Sequence, residues 1–136
     1  MEKVDCSAEI EACYRRQDRF PLSLGIQLEE IRAGYARVSM EIKEEMTNFH
    51  GITHGGALFA LADTAFGLAS NTRGPAVALQ VSINFIKATR PGDRLTATAQ
   101  EEYLTRSTGI YQISVTRGEE LVALIRGTVF RKGPRK

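Results

Sequence analysis

The stretch NFHGITHGGALFALADTAFGLASN, residues 48–71, decides the fold. It begins with polar and turn-forming residues and then becomes apolar almost without interruption from Ala57 to Ala69. Strong helix formers fill that apolar run, and helix-ending signals follow it in residues 70–75. Apolar positions cover the whole circumference, which is typical of a helix surrounded by protein. The run is about 16 residues long, and a membrane span needs about 20. We therefore predict a buried central helix over residues 54–72.

One ionisable residue, Asp63, lies in the middle of this helix. A carboxylate on a buried helix is costly unless it is paired, hydrogen-bonded or used in chemistry. One interpretation places Asp63 at a wet edge of the helix or at the cap of a neighbouring loop. The other makes it a catalytic carboxylate whose pKa is tuned by its surroundings, and its sequence context favours this second interpretation.

The predicted helix start has the features of an anion-binding element. It is marked by His54, Gly55 and Gly56, where free backbone N–H groups and the positive end of the helix dipole can stabilise an oxyanion. The two glycines let a ligand approach, although close packing alone could also explain them. Asp63 lies eight residues beyond Gly55, which is about 12 Å along a helix. One small reacting group cannot touch both residues, so a site that uses both predicts a dimer.

Composition excludes several other classes of protein. The chain of 136 residues has a net charge of +2 and no basic stripe with interleaved aromatic residues, which argues against nucleic-acid binding. Its first residues are acidic and lack the apolar region of a secretory signal. Cys6 and Cys13 would lie about 10 Å apart on a helix, too far to form a disulfide, and they belong to no metal-ligand cluster. We expect a single-domain, reduced, cytoplasmic protein without a metal ion or a membrane span.

The residues before the central helix predict one helix and two strands. Residues 7–19 form a short, charged amphipathic pattern that Phe20 and Pro21 would end. Leu24, Ile26 and Leu28 then alternate with polar or small residues, and residues 35–42 alternate again after a glycine-containing turn.

Four further strands follow the central helix. Val77, Leu79, Val81, Ile83 and Phe85 form one face of the first, and alternation over residues 95–103, 111–115 and 121–129 predicts the others. These four strands can run as a meander, and residues 131–136 are expected to be a loose basic tail. An apolar helix with enough strands to cover it predicts an α+β domain, an antiparallel sheet wrapped round one helix.

Residues 48–56 and 58–66 resemble the hotdog-fold acyl-CoA thioesterases, and within them the phenylacetate-degradation (PaaI-like) type. The similarity continues through residues 74–79, 91–93 and 127–130, and it covers about residues 20–131. In the hotdog fold a sheet curls round one long helix, which agrees with the order of elements predicted above.

The resemblance implies roles for four residues. Asp63 would be the catalytic carboxylate, acting as general base on water or attacking the thioester carbonyl itself. The backbone N–H of Gly55 would polarise that carbonyl from the facing subunit. Asn48 and His54 would flank the thioester and orient it or the water. Both also have structural interpretations, because His54 could cap the helix and Asn48 could be a turn residue.

Other residues have less defined roles. Some relatives carry a Ser or Thr near the start of the strand after the helix, and it helps to position water. Ala78 occupies that place here and has no hydroxyl. Thr64, Gln80 or Ser82 could position the water in its place. We expect His50 to be structural.

The phosphates of a coenzyme A substrate require cations at the mouth of the site. Arg106, with Ser107 and Thr108 in a turn between two late strands, is the first candidate. Lys87 and Arg90 come next, although surface cations are usually only solvated.

These observations together predict an acyl-CoA thioesterase that releases an acid and coenzyme A without a further cofactor. The acyl group is expected to be aromatic or of medium chain length, with Phe59 and Phe66 as residues that could shape its pocket. The protein would be a homodimer at least, and the resemblance implies a homotetramer made of two dimers. Two alternatives stay open: a hydroxyacyl-thioester dehydratase that uses His54 and Asp63 together, and an acyl-CoA-binding module without turnover.

Overall fold

The computed structural model describes residues 4–133. Three α-helices and six strands follow one another as α1 (Ser7–Gln17), α2 (Arg19–Ser23), β1 (Gln27–Arg32), β2 (Tyr35–Glu41), α3 (Gly55–Asn71), β3 (Ala76–Phe85), β4 (Arg94–Leu104), β5 (Thr108–Arg117) and β6 (Glu120–Arg131). A short 3₁₀ helix, Glu44–Met46, precedes α3. The strands form one antiparallel sheet in the order β1-β2-β4-β5-β6-β3, and α3 packs against its inner face. Within the described range, no helix is both long and apolar enough to cross a membrane.

Helix α3 occupies Gly55–Asn71, with His54 and Thr72 as its caps, where residues 54–72 were predicted. Its inward face is mostly apolar and includes Leu61, Ala65 and Phe66. The prediction that every side of α3 is covered does not hold within one chain. Gly55, Phe59, Asp63, Gly67 and Asn71 follow one another at intervals of four residues along its outward side, and none of them is buried. We call these five residues the outward ridge of α3.

The core lies between α3 and the middle of the sheet. Ala99, Ile113 and Ile125 stand side by side on β4, β5 and β6, and all three are almost completely buried. The ring of Phe66 reaches the sheet at Gly127, where a β-carbon would lie only 2.6 Å from the ring. Phe66 also meets Tyr111 edge-on, with 5.8 Å between the ring centroids. The glycine on β6 therefore leaves room for the Phe66 ring between α3 and the sheet.

The prediction that the last four strands form a meander is wrong for β3, the first of them. Strands β4, β5 and β6 do form a meander, but β3 pairs with β6 and lies at the edge of the sheet. The turn before β4 is held instead at the end of β2. There the Ile42 N–H donates to the Asp93 carbonyl at 2.8 Å, and the Gly92 N–H donates to the Ile42 carbonyl at 2.9 Å. These bonds direct β4 to β2, so that β3 is left with β6 alone.

Two details of the predicted N-terminal region are also wrong. Helix α1 ends at Gln17, and Phe20 and Pro21 do not stop it but belong to α2. Proline is tolerated in the first turn of a helix, where its missing N–H would have no partner in any case. Leu24 caps the end of α2, so the next strand begins at Gln27 and not at Leu24.

Strand β3 does not present the predicted single face. Its register with β6 shifts between Ala78 and Gln80, which leaves Leu79 as an extra residue. Val77 consequently lies opposite the exposed Phe130, whereas Val81 lies opposite the buried Gly127. A bulge of this kind reverses the alternation on either side of it.

Only part of the predicted tail, residues 131–136, lies within the described residues. Arg131 is not loose, because it ends β6 and its guanidinium donates to the carbonyls of Thr105 and Arg73. The Lys132 N–H donates to the Pro75 carbonyl at 2.9 Å. Residues 134–136 lie outside the described part of the chain.

Candidate active site

The start of α3 is fixed by hydrogen bonds from both sides. The His54 N–H donates to the Met46 carbonyl at 2.7 Å, and the Thr53 N–H donates to the Thr89 carbonyl at 2.9 Å. The hydroxyls of Thr89 and Thr53 are hydrogen-bonded at 2.6 Å in a buried position. Gly55, the first helical residue, is thus held at a defined place relative to the sheet.

The Gly55 N–H is available for a ligand. The Nδ1 atom of His54 accepts the Gly56 N–H at 2.9 Å, and the His54 carbonyl accepts the Ala57 N–H at 2.9 Å. Among residues 4–133 no group accepts the N–H of Gly55. His54 therefore caps the helix, as its structural interpretation held, while leaving the first N–H of α3 open at the positive end of the helix dipole.

Phe85 covers the α-carbon of Gly55. A β-carbon at position 55 would lie 3.0 Å from the tip of that ring. Phe85 ends β3 and is 55% exposed, so the ring lies beside the helix start at the protein surface. A glycine at position 55 thus permits the close approach of the Phe85 ring to the start of α3.

Asn48 stabilises the loop that leads into α3. Its Oδ1 atom accepts the backbone N–H groups of His50 at 2.9 Å and Ile52 at 3.4 Å. The amide nitrogen makes no hydrogen bond to any described residue. The Oδ1 atom of Asn48 is thus used in the loop, whereas its amide nitrogen keeps two N–H donors for a ligand. His50 packs its ring on Phe49, with 4.0 Å between the centroids.

Asp63 lies in a groove of about 470 Å³ between α3 and the α1–α2 corner. The apolar residues of the groove include Ile10, Tyr14, Phe20, Pro21, Ala60 and Leu68, and its polar residues are Cys13, Gln17, Asp18, Asp63, Thr64 and Asn71. Tyr14 fixes the corner, because its buried hydroxyl donates to the Ile26 carbonyl at 2.8 Å. The volume lies within the range of small-molecule sites.

The groove raises the pKa of Asp63. The side chain reaches solvent, but the groove walls desolvate its charged form, and the negative charge of Asp18 adds to the effect. Burial also raises the pKa of Tyr14 to about 12, with a further contribution from Asp18. Within the described chain the Asp63 carboxylate accepts no hydrogen bond. It is thus a carboxylate without a structural partner, which is typical of functional sites.

Thr64 also lines the groove, but its hydroxyl donates to the Ala60 carbonyl at 2.7 Å. Only its oxygen lone pairs stay available for water or substrate. Gln80 and Ser82 lie on β3 and do not line the groove, and Ala78 offers no polar side chain there.

Gly55 and Asp63 are eight residues apart on one continuous helix. The rise of an α-helix separates them by about 12 Å along the axis. A single chain therefore presents the open N–H and the free carboxylate as two half-sites.

Lys87 and Arg90 lie near the start of α3, in the connection from β3 to β4. Lys87 forms an ion pair with Glu120 at 2.8 Å. Hydrogen bonds from Lys87 and Arg117 lower the pKa of Glu120 to about 2. A phosphate would have to compete with Glu120 for Lys87, whereas the Arg90 side chain makes no hydrogen bond or ion pair within residues 4–133.

Arg106 and Ser107 lie at the opposite end of the sheet, in the β4–β5 turn, and Thr108 begins β5 there. The turn is rigid, because the Thr108 N–H donates to Thr105 Oγ1 at 2.8 Å and the Ser107 carbonyl accepts the Arg131 N–H at 2.8 Å. Arg106 is exposed at the edge of a second cavity of about 940 Å³, which Arg131 also lines. One subunit thus does not bring all five candidate phosphate-binding residues together.

The sequence patterns missed the groove wall opposite Asp63. Tyr14, Asp18 and Phe20 belong to the α1–α2 corner, whereas the sequence pattern predicts a single helix over residues 7–19 that Phe20 and Pro21 end. A usable signal is that Asp is favoured at the N-cap of a helix and Pro is tolerated in its first turn, as at Asp18 and Pro21. Phe85 was assigned to the sheet without its role over Gly55.

The described residues contain no group of three or more His, Cys, Asp or Glu side chains that could hold a metal ion. Cys6 and Cys13 are both free.

Comparison with known proteins agrees with this geometry. The profile of the family described as "Thioesterase superfamily" matches residues 50–124. The chain belongs to the thioesterase superfamily. The predicted hotdog fold is confirmed, as is the assignment to the thioesterase class of enzymes.

Individual members of the superfamily are similar over most of the chain. The acyl-coenzyme A thioesterase PaaI of Escherichia coli is 43% identical over 113 residues, which are 82% of this chain and 81% of that protein. The structure of the E. coli PaaI protein superposes with a TM-score of 0.90 at 38% identity, covering 94% of each chain. A hypothetical thioesterase from Streptococcus pneumoniae, determined with coenzyme A, has a TM-score of 0.77 at 31% identity, covering 82% of this chain and 91% of that one. The resemblance to the PaaI-like type is therefore confirmed.

Proposed function

We propose that the protein hydrolyses acyl-CoA thioesters, with Asp63 of one subunit and the Gly55 N–H of the facing subunit acting on the same carbonyl. The observation that carries the proposal is the pair of half-sites on α3, an N–H and a carboxylate that have no partner among residues 4–133. The coenzyme A bound by the similar streptococcal protein and the activity named for E. coli PaaI support this substrate class.

The reaction requires a base and an oxyanion donor. The Gly55 N–H, at the positive end of α3, donates to the thioester oxygen and stabilises the negative charge that develops there. The ionised Asp63 removes a proton from water as the water oxygen attacks the carbonyl carbon, or attacks that carbon itself. The C–S bond then breaks, and coenzyme A leaves as a thiolate that takes up a proton. Attack by water gives the carboxylic acid directly, whereas attack by Asp63 gives an acyl–aspartyl anhydride that a water molecule hydrolyses to the acid and free Asp63. A cofactor is not needed for these steps.

The edge strand β3 indicates how two subunits would meet. Seven of its ten residues are exposed, and the edge carries the apolar side chains of Val77, Leu79 and Phe85. A long, apolar, unpaired edge favours pairing with a second strand. We infer that β3 pairs with β3 of a second copy about a two-fold axis, giving a homodimer that can assemble further into a homotetramer.

This pairing would complete the site. Antiparallel strands related by a two-fold axis place the Phe85 end of one β3 beside the Ala76 end of the other. Because α3 begins near Phe85 and ends near Ala76, the start of one α3 would move toward the second half of the other. Gly55 of one subunit would then approach Asp63 of its partner, with Asn48 at the side of the shared site.

The same arrangement would also unite the candidate cations. Lys87 and Arg90 lie at the Phe85 end of the sheet, and Arg106, Ser107 and Thr108 lie at the Ala76 end. In the dimer, Lys87 and Arg90 of one subunit would face the β4–β5 turn of the partner subunit across the interface. We infer that this mixed set binds the coenzyme A phosphates, with the exposed Arg106 as the principal cation.

The test is thiol release from a panel of phenylacetyl, hydroxybenzoyl, medium-chain and long-chain acyl-CoAs, measured for wild type and Asp63→Asn side by side. We expect turnover by wild type and a loss of about 10²–10⁴-fold in the variant, because the base is removed while its size is kept. Turnover by the variant at the wild-type rate would overturn the role of Asp63.

The same panel separates the two alternative functions. An enoyl product from a hydroxyacyl-CoA would identify a dehydratase, although His54 and Asp63 lie about 13 Å apart along one helix. Tight acyl-CoA binding in calorimetry without release of thiol would identify a binding module.

A further inference from the structure

Asp18 has a carboxylate that the fold does not use. It occupies the N-cap position of α2, yet its side chain makes no capping hydrogen bond. Asx residues at this position normally accept an N–H of the first turn. Only the backbone of Asp18 connects the helices: its N–H donates to the Tyr14 carbonyl at 3.3 Å, and its carbonyl accepts the Leu22 N–H at 3.4 Å. The carboxylate is left to line the groove.

The groove has charges of one sign only. Among the described residues that line it, the titratable side chains are Cys13 and Tyr14 from α1, Asp18 from the corner and Asp63 from α3. None of them is a cation. Desolvation raises the pKa of Asp18 as well as that of Asp63, which indicates that neither charge is compensated by a neighbour.

We propose that Asp18 determines the charge selectivity of the acyl groove, excluding acyl groups that end in a carboxylate and accepting neutral aromatic or aliphatic ones. This inference rests on the proposed function, in which the thioester carbonyl lies at Asp63 and the acyl group extends into the groove. Groove residues from Ala60 to Asn71 span about 16 Å of α3, so an acyl chain that starts at Asp63 lies beside the corner. A terminal carboxylate would then enter a partly desolvated space that already holds two negative charges.

The test compares two substrates of equal length, hexanoyl-CoA and adipoyl-CoA, which differ in a terminal methyl or carboxylate group. The ratio of their kcat/KM values is measured for wild type and for Asp18→Asn. We expect wild type to prefer hexanoyl-CoA, and the variant to reduce this preference by about three- to tenfold, as expected for one charge near a protein surface. Both kcat/KM values are measured on the same enzyme preparation. A partial loss of folded protein lowers both equally and leaves their ratio unchanged.

Glu11→Gln is the matched control. Glu11 lies on α1, and its replacement also removes one negative charge, but Glu11 pairs with Arg15 at 3.2 Å and does not line the groove. We expect its substrate ratio to equal that of wild type. An unchanged ratio in Asp18→Asn, or an equal change in both variants, would overturn the proposal.

A second measurement keeps the inference separate from the hydrolase assignment. In Asp18→Asn the titration of the Asp63 carboxyl carbon, followed by NMR, moves to lower pH, and in Glu11→Gln it does not. If wild type hydrolyses neither these two substrates nor any acyl-CoA of the panel, the proposed function fails. The ratio of the two Kd values from calorimetry then tests Asp18 in place of kcat/KM.

Discussion

Replacing Gly55 by proline removes the proposed oxyanion donor without removing a side chain. Gly55 is the first residue of α3, the helical position at which proline is best tolerated. His54, directly before it, has φ −63° and ψ 135°, which is the extended conformation that a residue preceding proline prefers. Since no described residue accepts the Gly55 N–H, its loss breaks no hydrogen bond of the fold.

The magnitude follows from the role of that N–H. Loss of one oxyanion donor costs about 10²–10³-fold in kcat. Proline also adds a β-carbon at 3.0 Å from the Phe85 ring, so Gly55→Ala is the matched control, with the same β-carbon and the N–H kept. Phe85 is half-exposed and can move, so we expect Gly55→Ala to lose less than about tenfold.

The assay is thiol release from the best acyl-CoA of the panel, with circular dichroism to confirm that both variants fold. The difference between Gly55→Pro and Gly55→Ala isolates the N–H. Equal kcat/KM values for the two variants would refute the oxyanion role, whatever their activity relative to wild type.

The same variant tests whether the site is shared. Gly55→Pro and Asp63→Asn are unfolded together, mixed in equal amounts and refolded. Random pairing makes half of the dimers mixed, and a two-fold dimer then has one site with both wild-type residues. We expect about a quarter of the wild-type activity, although each variant alone is nearly inactive. No recovery in a mixture shown by mass spectrometry to contain mixed dimers would mean that one chain carries both groups.

Four further predictions concern α3 and its contacts. Because the pKa of Asp63 is raised, the acidic limb of the kcat/KM–pH profile should lie above the ordinary aspartate value of about 3.9. The folded protein also binds this proton more tightly than the unfolded chain, so ionisation reduces stability as pH rises; Asp63→Asn should raise Tm at neutral pH and have no effect at strongly acidic pH. Gly127→Ala places a β-carbon 2.6 Å from the Phe66 ring and should lower the free energy of unfolding by roughly 1–3 kcal/mol. A β-carbon at Gly67 has none of its packing neighbours within 4 Å, so Gly67→Ala should raise the free energy of unfolding by about 0.5–1 kcal/mol. The same variant should increase KM for the bulkiest acyl-CoAs, because the added methyl group enters the groove.

Urea denaturation of the two glycine variants provides their mutual control, since both add one methyl group. Equal effects on unfolding would contradict the contact distances on which both predictions rest. For Asp63, a Tm difference that is the same at acidic and neutral pH would show that burial of charge is not its cause.

The sequence predicts those parts of the structure that depend on local signals. The span of α3 follows from polar residues before Ala57 and the helix-ending residues after Ala69. The separation of Gly55 and Asp63 follows from helix rise alone, and with it the two half-sites. The glycine-containing turn predicted before residue 35 is formed with Gly34 at positive φ, a conformation that glycine adopts readily.

Long-range arrangement was not predictable in the same way. Nothing in the alternation of β3 says that it pairs with β6, because the hydrogen bonds of Ile42 with the turn before β4 decide the order. The groove required the docking of α1, which depends on the hydrogen bond from Tyr14 to the carbonyl of Ile26. The proximity of Asp18 to Asp63 is not predictable from the sequence, because it results from the docking of α1.

The outward ridge of α3 combines several features that cost stability. Gly55 has an N–H without a partner, Asp63 carries a charge that its surroundings disfavour, and Gly67 lacks a methyl group that would fit. Each feature lies on the i, i+4 row of one helix, whereas the inward rows of α3 follow the rules of helix propensity and packing. When several residues depart from the rules of helix propensity and packing and all lie on one face of a helix, a common function explains them more simply than chance. The ridge is thus the part of the chain where stability has been given up to accommodate a substrate.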